Sequence, residues 1–220
     1  IALPLIFSRI GNRRSWGEFL LGFALLFLGL DFLKNSVPNI NENPEIMSFV
    51  ERFTDLGFTS TLIFLGIGTL LTVIIQSSSA TMALTFVMCN QGWIEFPMAA
   101  AMVLGENIGT TVTSNIAASV GNLSAKRAAR VHLIFNLLGV VWMLAIFNQF
   151  TYWIDHFVTH HNGVSPSESP AAIPTALALF HTSFNIINVL IFIWFTPLLQ
   201  KLVIKMIPQR DKDSEEDFRL

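Results

Sequence analysis

The chain has 220 residues, of which 52% are hydrophobic and 13% charged, about half the charged fraction of an ordinary soluble domain. Its 13 basic and 15 acidic side chains give a net charge of −2, and the Lys and Arg residues sit in short clusters, so the extended basic surface that nucleic acids require is absent. The one cysteine, Cys89, lies in an apolar run; it excludes an internal disulfide and a multi-cysteine metal site and reads as a small buried hydrophobe.

Charge is also unevenly placed. Only Glu95 and Glu106 are charged between Asp55 and Lys126, and only Asp155 and Glu168 between Arg130 and Lys201. Two long stretches so poor in charge predict an all-α multi-pass membrane protein.

Taken in chain order, Ile1 to Phe7 reads as the exit of an apolar helix that begins upstream, and with Arg9, Arg13 and Arg14 it makes residues 1–15 the end of a preceding segment plus a basic loop. Trp16 to Leu33 approaches the roughly 20 apolar residues of a span, with Glu18 and Asp31 near its ends where charges reach headgroups. Asn35 to Leu56 is polar, contains Pro38 and Pro44, and reads as a loop with one short surface helix. Thr59 to Cys89 is apolar but interrupted by Gln76, Ser77, Ser78 and Ser79, and Trp93 to Val120 repeats that design around Gly105 to Thr111. Each is expected to be a discontinuous helix, because polar irregular backbone at membrane depth is tolerated only against protein or a watery cavity. Arg127 to Phe150 and Ala171 to Gln200 are two further spans, joined by an expected loop from Thr151 to Pro170. Residues 16–207 thus form the membrane part, and 208–220 a charged tail.

The basic clusters Arg9/Arg13/Arg14, Lys126/Arg127/Arg130 and Lys201/Lys205/Arg210 alternate with loops that are acidic or nearly free of Lys and Arg, which places the basic loops in the cytoplasm of a cell membrane. An odd number of crossings must then lie between Leu56 and Lys126. One of the two interrupted segments crosses and the other returns on the same side; a re-entrant hairpin turning near Gln76 to Ser79 is preferred, giving about four spanning helices plus the hairpin.

Gln76, Ser77, Ser78 and Ser79 gather hydroxyl and amide oxygens that suit a small hard cation, and the same hydroxyls can donate to an anion. Thr81 follows closely. Gly105 and Gly109 either turn the chain or pack helices, beside Asn107, Thr110, Thr111 and Asn115, which offer further oxygens. Glu106 is the one acidic group among them, able to hold a cation or simply to lie near an interface. His132 and Asn136, and again His181 and Asn185, stand four apart on a helical face, with Asn188 one turn on. Helix glue is the simpler reading of that repeat. No Lys or Arg in these stretches can neutralise an anion at mid-depth, so an anion must bring cations with it, helped by the amides and dipoles of broken helices.

Gln76-Ser77-Ser78-Ser79-Ala80-Thr81 followed by Gly105-Glu106-Asn107-Ile108-Gly109-Thr110-Thr111 resembles the type II sodium/phosphate cotransporter family, over roughly Ser15 to Leu199. The resemblance implies two inverted repeats that build one phosphate and sodium site between them, of which this chain looks like the second half, its partner repeat lying upstream. It implies phosphate at Gln76, Ser77, Ser78 and Ser79, and sodium at Gln76, Ser79, Thr81, Asn107, Thr110 and Thr111. Glu106, Asn115, His132, Asn136, His181 and Asn185 are accessory candidates that the resemblance does not decide. Relatives often carry a helical domain resembling the phosphate-regulatory PhoU protein beyond the membrane part, where charge rises here.

The expected function is therefore sodium-coupled inorganic phosphate symport by alternating access, with sodium as coupling ion, no cofactor and no enzymatic step. The partners are phosphate, sodium, the bilayer and the other repeat, and two copies could also pair about a twofold axis. One alternative is an intramembrane serine hydrolase using one of Ser77 to Ser79 with His132 or His181, weakened by the lack of a Gly-x-Ser-x-Gly elbow. Another is a membrane interaction module in which the polar clusters only glue helices. Asp155, His156, His160 and His161 read as solvated loop residues rather than a metal site.

Overall fold

In a chain this apolar, helix is the conformation that satisfies every backbone donor and acceptor within one segment. The computed structural model describes residues 2–8, 10–36 and 44–209. Among these are ten α-helices and no strand: α1 (Ala2–Ile6), α2 (Gly11–Ser36), α3 (Pro44–Thr54), α4 (Phe58–Ile75), α5 (Ser78–Asn90), α6 (Phe96–Ala118), α7 (Leu123–Ala145), α8 (Phe147–Asn162), α9 (Ile173–Phe192) and α10 (Thr196–Met206). Part of the expected loop between Asn35 and Leu56, residues 37–43, and residues 210–220 of the charged tail lie outside the described residues, as do Ile1 and Arg9.

Among the described residues, four stretches are long and apolar enough to cross a membrane: Gly11–Leu33, Phe58–Ile75, Leu123–Ala145 and Pro170–Met206. The chain is thus an all-α multi-pass membrane protein. α6 is held to a different standard, because Phe96 and the unbroken run Ala99 to Glu106 are buried by protein rather than by lipid. α2 is the opposite case, with the rings of Phe19, Phe23 and Phe27 in contact along an exposed face suited to hydrocarbon.

α4 and α6 run parallel and almost touch. A Cβ on Gly68 would overlap the Met102 carbonyl, one on Gly105 the Leu65 carbonyl, and one on Gly109 the Thr72 side chain, while Thr69 Oγ1 donates to the Gly105 carbonyl at 3.0 Å. Contacts therefore advance together, from 65–69 against 102–105 to 72 against 109. α5 starts beside the end of α4 and finishes five residues before α6 begins, so it must run back antiparallel to both. α4 and α5 are the two arms of a helical hairpin, braced along α6.

α7 returns along α6, where Asn115 Nδ2 donates to the Ala129 carbonyl at 2.8 Å. α9 runs antiparallel to α7, since Phe135 meets Phe192, Gly139 meets Asn188, and Phe147 just beyond α7 meets Phe180. α10 brings the chain back to the start of α7, with Arg127 Nε donating to the Ile207 carbonyl at 3.1 Å.

Two expectations are corrected. The stretch from Trp93 to Val120 is not a discontinuous helix: α6 is continuous through Gly105 to Thr111. Its glycines serve close packing on α4, and its polar side chains bond back to their own helix, Asn107 Nδ2 to the Val103 carbonyl and Thr110 Oγ1 to the Glu106 carbonyl. The stretch from Thr151 to Pro170 is not all loop either, because α8 continues to Asn162. Phe147, Phe150, Ile154 and Val158 recur at helical spacing and bury one stripe of it.

Candidate functional site

The hairpin turns within two residues. Gln76 ends α4 in the left-handed region (φ 58°, ψ 26°), its amide still donating to the Thr72 carbonyl at 2.8 Å. It is the one non-glycine residue with positive φ among the described residues. Ser77 is extended and caps α5, its Oγ accepting from the Ala80 amide at 3.3 Å while its carbonyl accepts the first helical bond from Thr81 at 3.0 Å. The amides of Ser78 and Ser79 therefore have no carbonyl one turn back to bond, and the helix dipole adds partial positive charge at the same place. A break, two hydroxyls and two free amides coincide there.

A cavity of about 870 Å³ opens at this point. Its polar wall brings together Ser77, Ser78 and Ser79 from the hairpin, Glu106 and Asn107 from α6, and His181 from α9. Its opposite wall is apolar and comes from α2, through Leu26, Leu30 and Leu33. Glu106 is only 2% exposed; its Oε1 accepts from Thr85 Oγ1 at 3.0 Å, and its Oε2 makes no hydrogen bond to the described residues.

The other candidates are placed elsewhere. Gln76 is exposed at the hairpin tip, and Thr81 is buried with Oγ1 on the Ser77 carbonyl. Thr110 and Thr111 bond back along α6, and Asn115 ties α6 to α7. Of the two His–Asn pairs, His132 is exposed while Asn136 is buried, and His181 is half-buried with its carbonyl accepting from Asn185 Nδ2 at 2.8 Å. Asn188 is fully buried between α9 and α7, its Oδ1 accepting from Trp142 Nε1 at 3.0 Å. Two residues packed behind the cavity-lining groups are not flagged by the motifs. Thr85 is fully buried against Glu106, and Thr72, whose Oγ1 has no partner among the described residues, sits beside Gly109. Their signal was the recurrence of threonine at one helical turn from Thr81 and Gln76.

Residues 43–159 match the family model described as Na+/Pi-cotransporter. Among curated proteins, the chain is 29% identical over 200 residues to the uncharacterized protein YqeW of Bacillus subtilis (strain 168), covering 90% of this chain and 59% of that one. It is 25% identical over 209 residues to the putative inorganic phosphate export protein YjbB of Escherichia coli (strain K12), covering 93% of this chain and 35% of that one. Over 142 residues it is 32% identical to sodium-dependent phosphate transport protein 2B of Homo sapiens, covering 58% of this chain and 19% of that one. The chain thus spans less than two thirds of the length of each. No solved structure matches it.

Proposed function

The chain belongs to the Na+/Pi-cotransporter family, and from that premise we propose that it supplies one half of the substrate site of a sodium-coupled inorganic phosphate symporter working by alternating access. The observation that carries the proposal is the helix break at Gln76–Ser77, opening on a cavity that holds serine hydroxyls and the amide end of α5 but no Lys or Arg. Phosphate would sit on Gln76 and Ser77 to Ser79, which donate; sodium would take oxygens of Gln76, Ser79, Thr81, Asn107, Thr110 and Thr111, with Glu106 as a further anionic contribution. Burying a doubly negative anion without a counter-charge is prohibitive, so bound sodium lowers the cost of phosphate entry and phosphate that of sodium.

The hairpin supports the re-entrant reading. Thr72 lies level with Gly109, and α4 ends three residues later while α6 runs on to Ala118, so the tip stops roughly 9 Å short of the end of α6 at 1.5 Å per residue. Both arms then enter from one side, α6 crosses, and the basic clusters Lys126/Arg127 and Lys201/Lys205, which α7 and α10 bring to one end, face the cytoplasm of the cell membrane. The second Gln-Ser-Ser-Ser element would come from a preceding repeat. The hydrolase alternative draws little support, since no hydrogen bond joins a described serine of the break to His181.

Ser78→Ala in the full protein is the direct test of the site. Phosphate uptake should fall at least tenfold with the amount of folded protein in the membrane unchanged; uptake at the unsubstituted rate would reject the assignment.

A further inference from the structure

Resting on that reading, we infer that Thr85 is a positioning residue for the coupling cation, holding one oxygen of Glu106 so that the other stays unengaged at the cavity wall. Neither the motifs nor the match to the family singles it out. Thr85 is 0% exposed, and its Oγ1 stands 3.0 Å from two acceptors, the Thr81 carbonyl on its own helix and Glu106 Oε1 on α6. A threonine that merely bonds back along its helix needs only the first.

One hydroxyl carries one proton, so the two acceptors compete. The Thr81 carbonyl lies where an intrahelical amide bond is already available, whereas the carboxylate is buried with no partner for Oε2 among the described residues and no Lys or Arg anywhere between Asp55 and Lys126. The ionised carboxylate is the stronger acceptor, so the hydroxyl is drawn to Oε1. That bond is kept when a monovalent cation sits on Oε2, and the rotamer that receives the cation is set in advance.

The experiment measures the sodium concentration that half-saturates phosphate uptake by the full protein in proteoliposomes. Thr85→Val keeps the shape and removes the donor, and should raise that concentration about tenfold, the weight of one hydrogen bond to a charged group. Thr85→Ser restores the donor and should return it to within about twofold of the unsubstituted value. An unshifted Thr85→Val, or equal shifts in Val and Ser variants, overturns the inference; should the Val protein fail to accumulate, Thr85→Ala against Thr85→Ser is read the same way. Uptake by the unsubstituted protein that ignores sodium would instead defeat the functional reading itself, and the two failures are thereby told apart.

Discussion

Gln76 is a long side chain held in a backbone region that L-residues avoid, at a cost on the order of 1 kcal/mol. A glycine would meet the turn without that cost. Asp155, at the other end of the molecule, shows the same economy in reverse. Partial burial pushes its pKa up, but hydrogen bonds from Ser167, Ser165 and Thr159 outweigh this and hold it below the ordinary carboxylate value. A carboxyl group with a depressed pKa in the fold stabilises it above the unfolded value of about 4, and that contribution disappears as pH falls through the folded value. The melting temperature should therefore drop on acidification from pH 5 to 3 by more in the unsubstituted protein than in Asp155→Asn; superimposable acid profiles would show that these bonds do not bear on stability. Asp155 looked like a solvated loop residue because the partners that fix it, ten and twelve residues away, are separated from it by the turn at Gly163.

Among elements, the α4–α6 contact sets where the hairpin can lie. Gly105 faces backbone on α4, and backbone cannot rotate aside as a side chain can. Gly105→Ala should cost about 1–3 kcal/mol as the helices are forced apart, visible as a lowered unfolding midpoint in detergent; an unchanged midpoint would mean that α4 is free to shift along α6. The two polar interruptions looked alike in the sequence and behave differently in the fold. In Gln76 to Ser79, three adjacent serines after a glutamine can cap a new helix, and one does. In Gly105 to Thr111 the oxygens alternate with glycines at helical spacing, so the glycines pack against α4 and the threonine hydroxyls donate back along an unbroken helix. The spans were legible because length and apolarity suffice to place them. α8 was harder, as a polar count from Thr151 onward conceals the stripe of Ile154 and Val158 that buries it.

At the scale of the molecule, the cavity is lined on one side by serines, Asn107, Glu106 and His181, and on the other by leucines of α2. Those groups come from four helices separated by up to 155 positions in the chain (Leu26 to His181), which is why the motifs pointed to the hairpin but not to α2 as its wall. Thr85 and Thr72 escaped for a related reason: their significance lies in which neighbour they face. Neutral donors alone do not offset the desolvation of a doubly charged anion, so cations would have to accompany it into the cavity. The most direct measurement is initial phosphate uptake by the full protein in sealed vesicles, with an inward gradient of sodium or of choline. Uptake stimulated many-fold by sodium, and abolished when choline replaces it, is the predicted result; equal rates in the two gradients would contradict it.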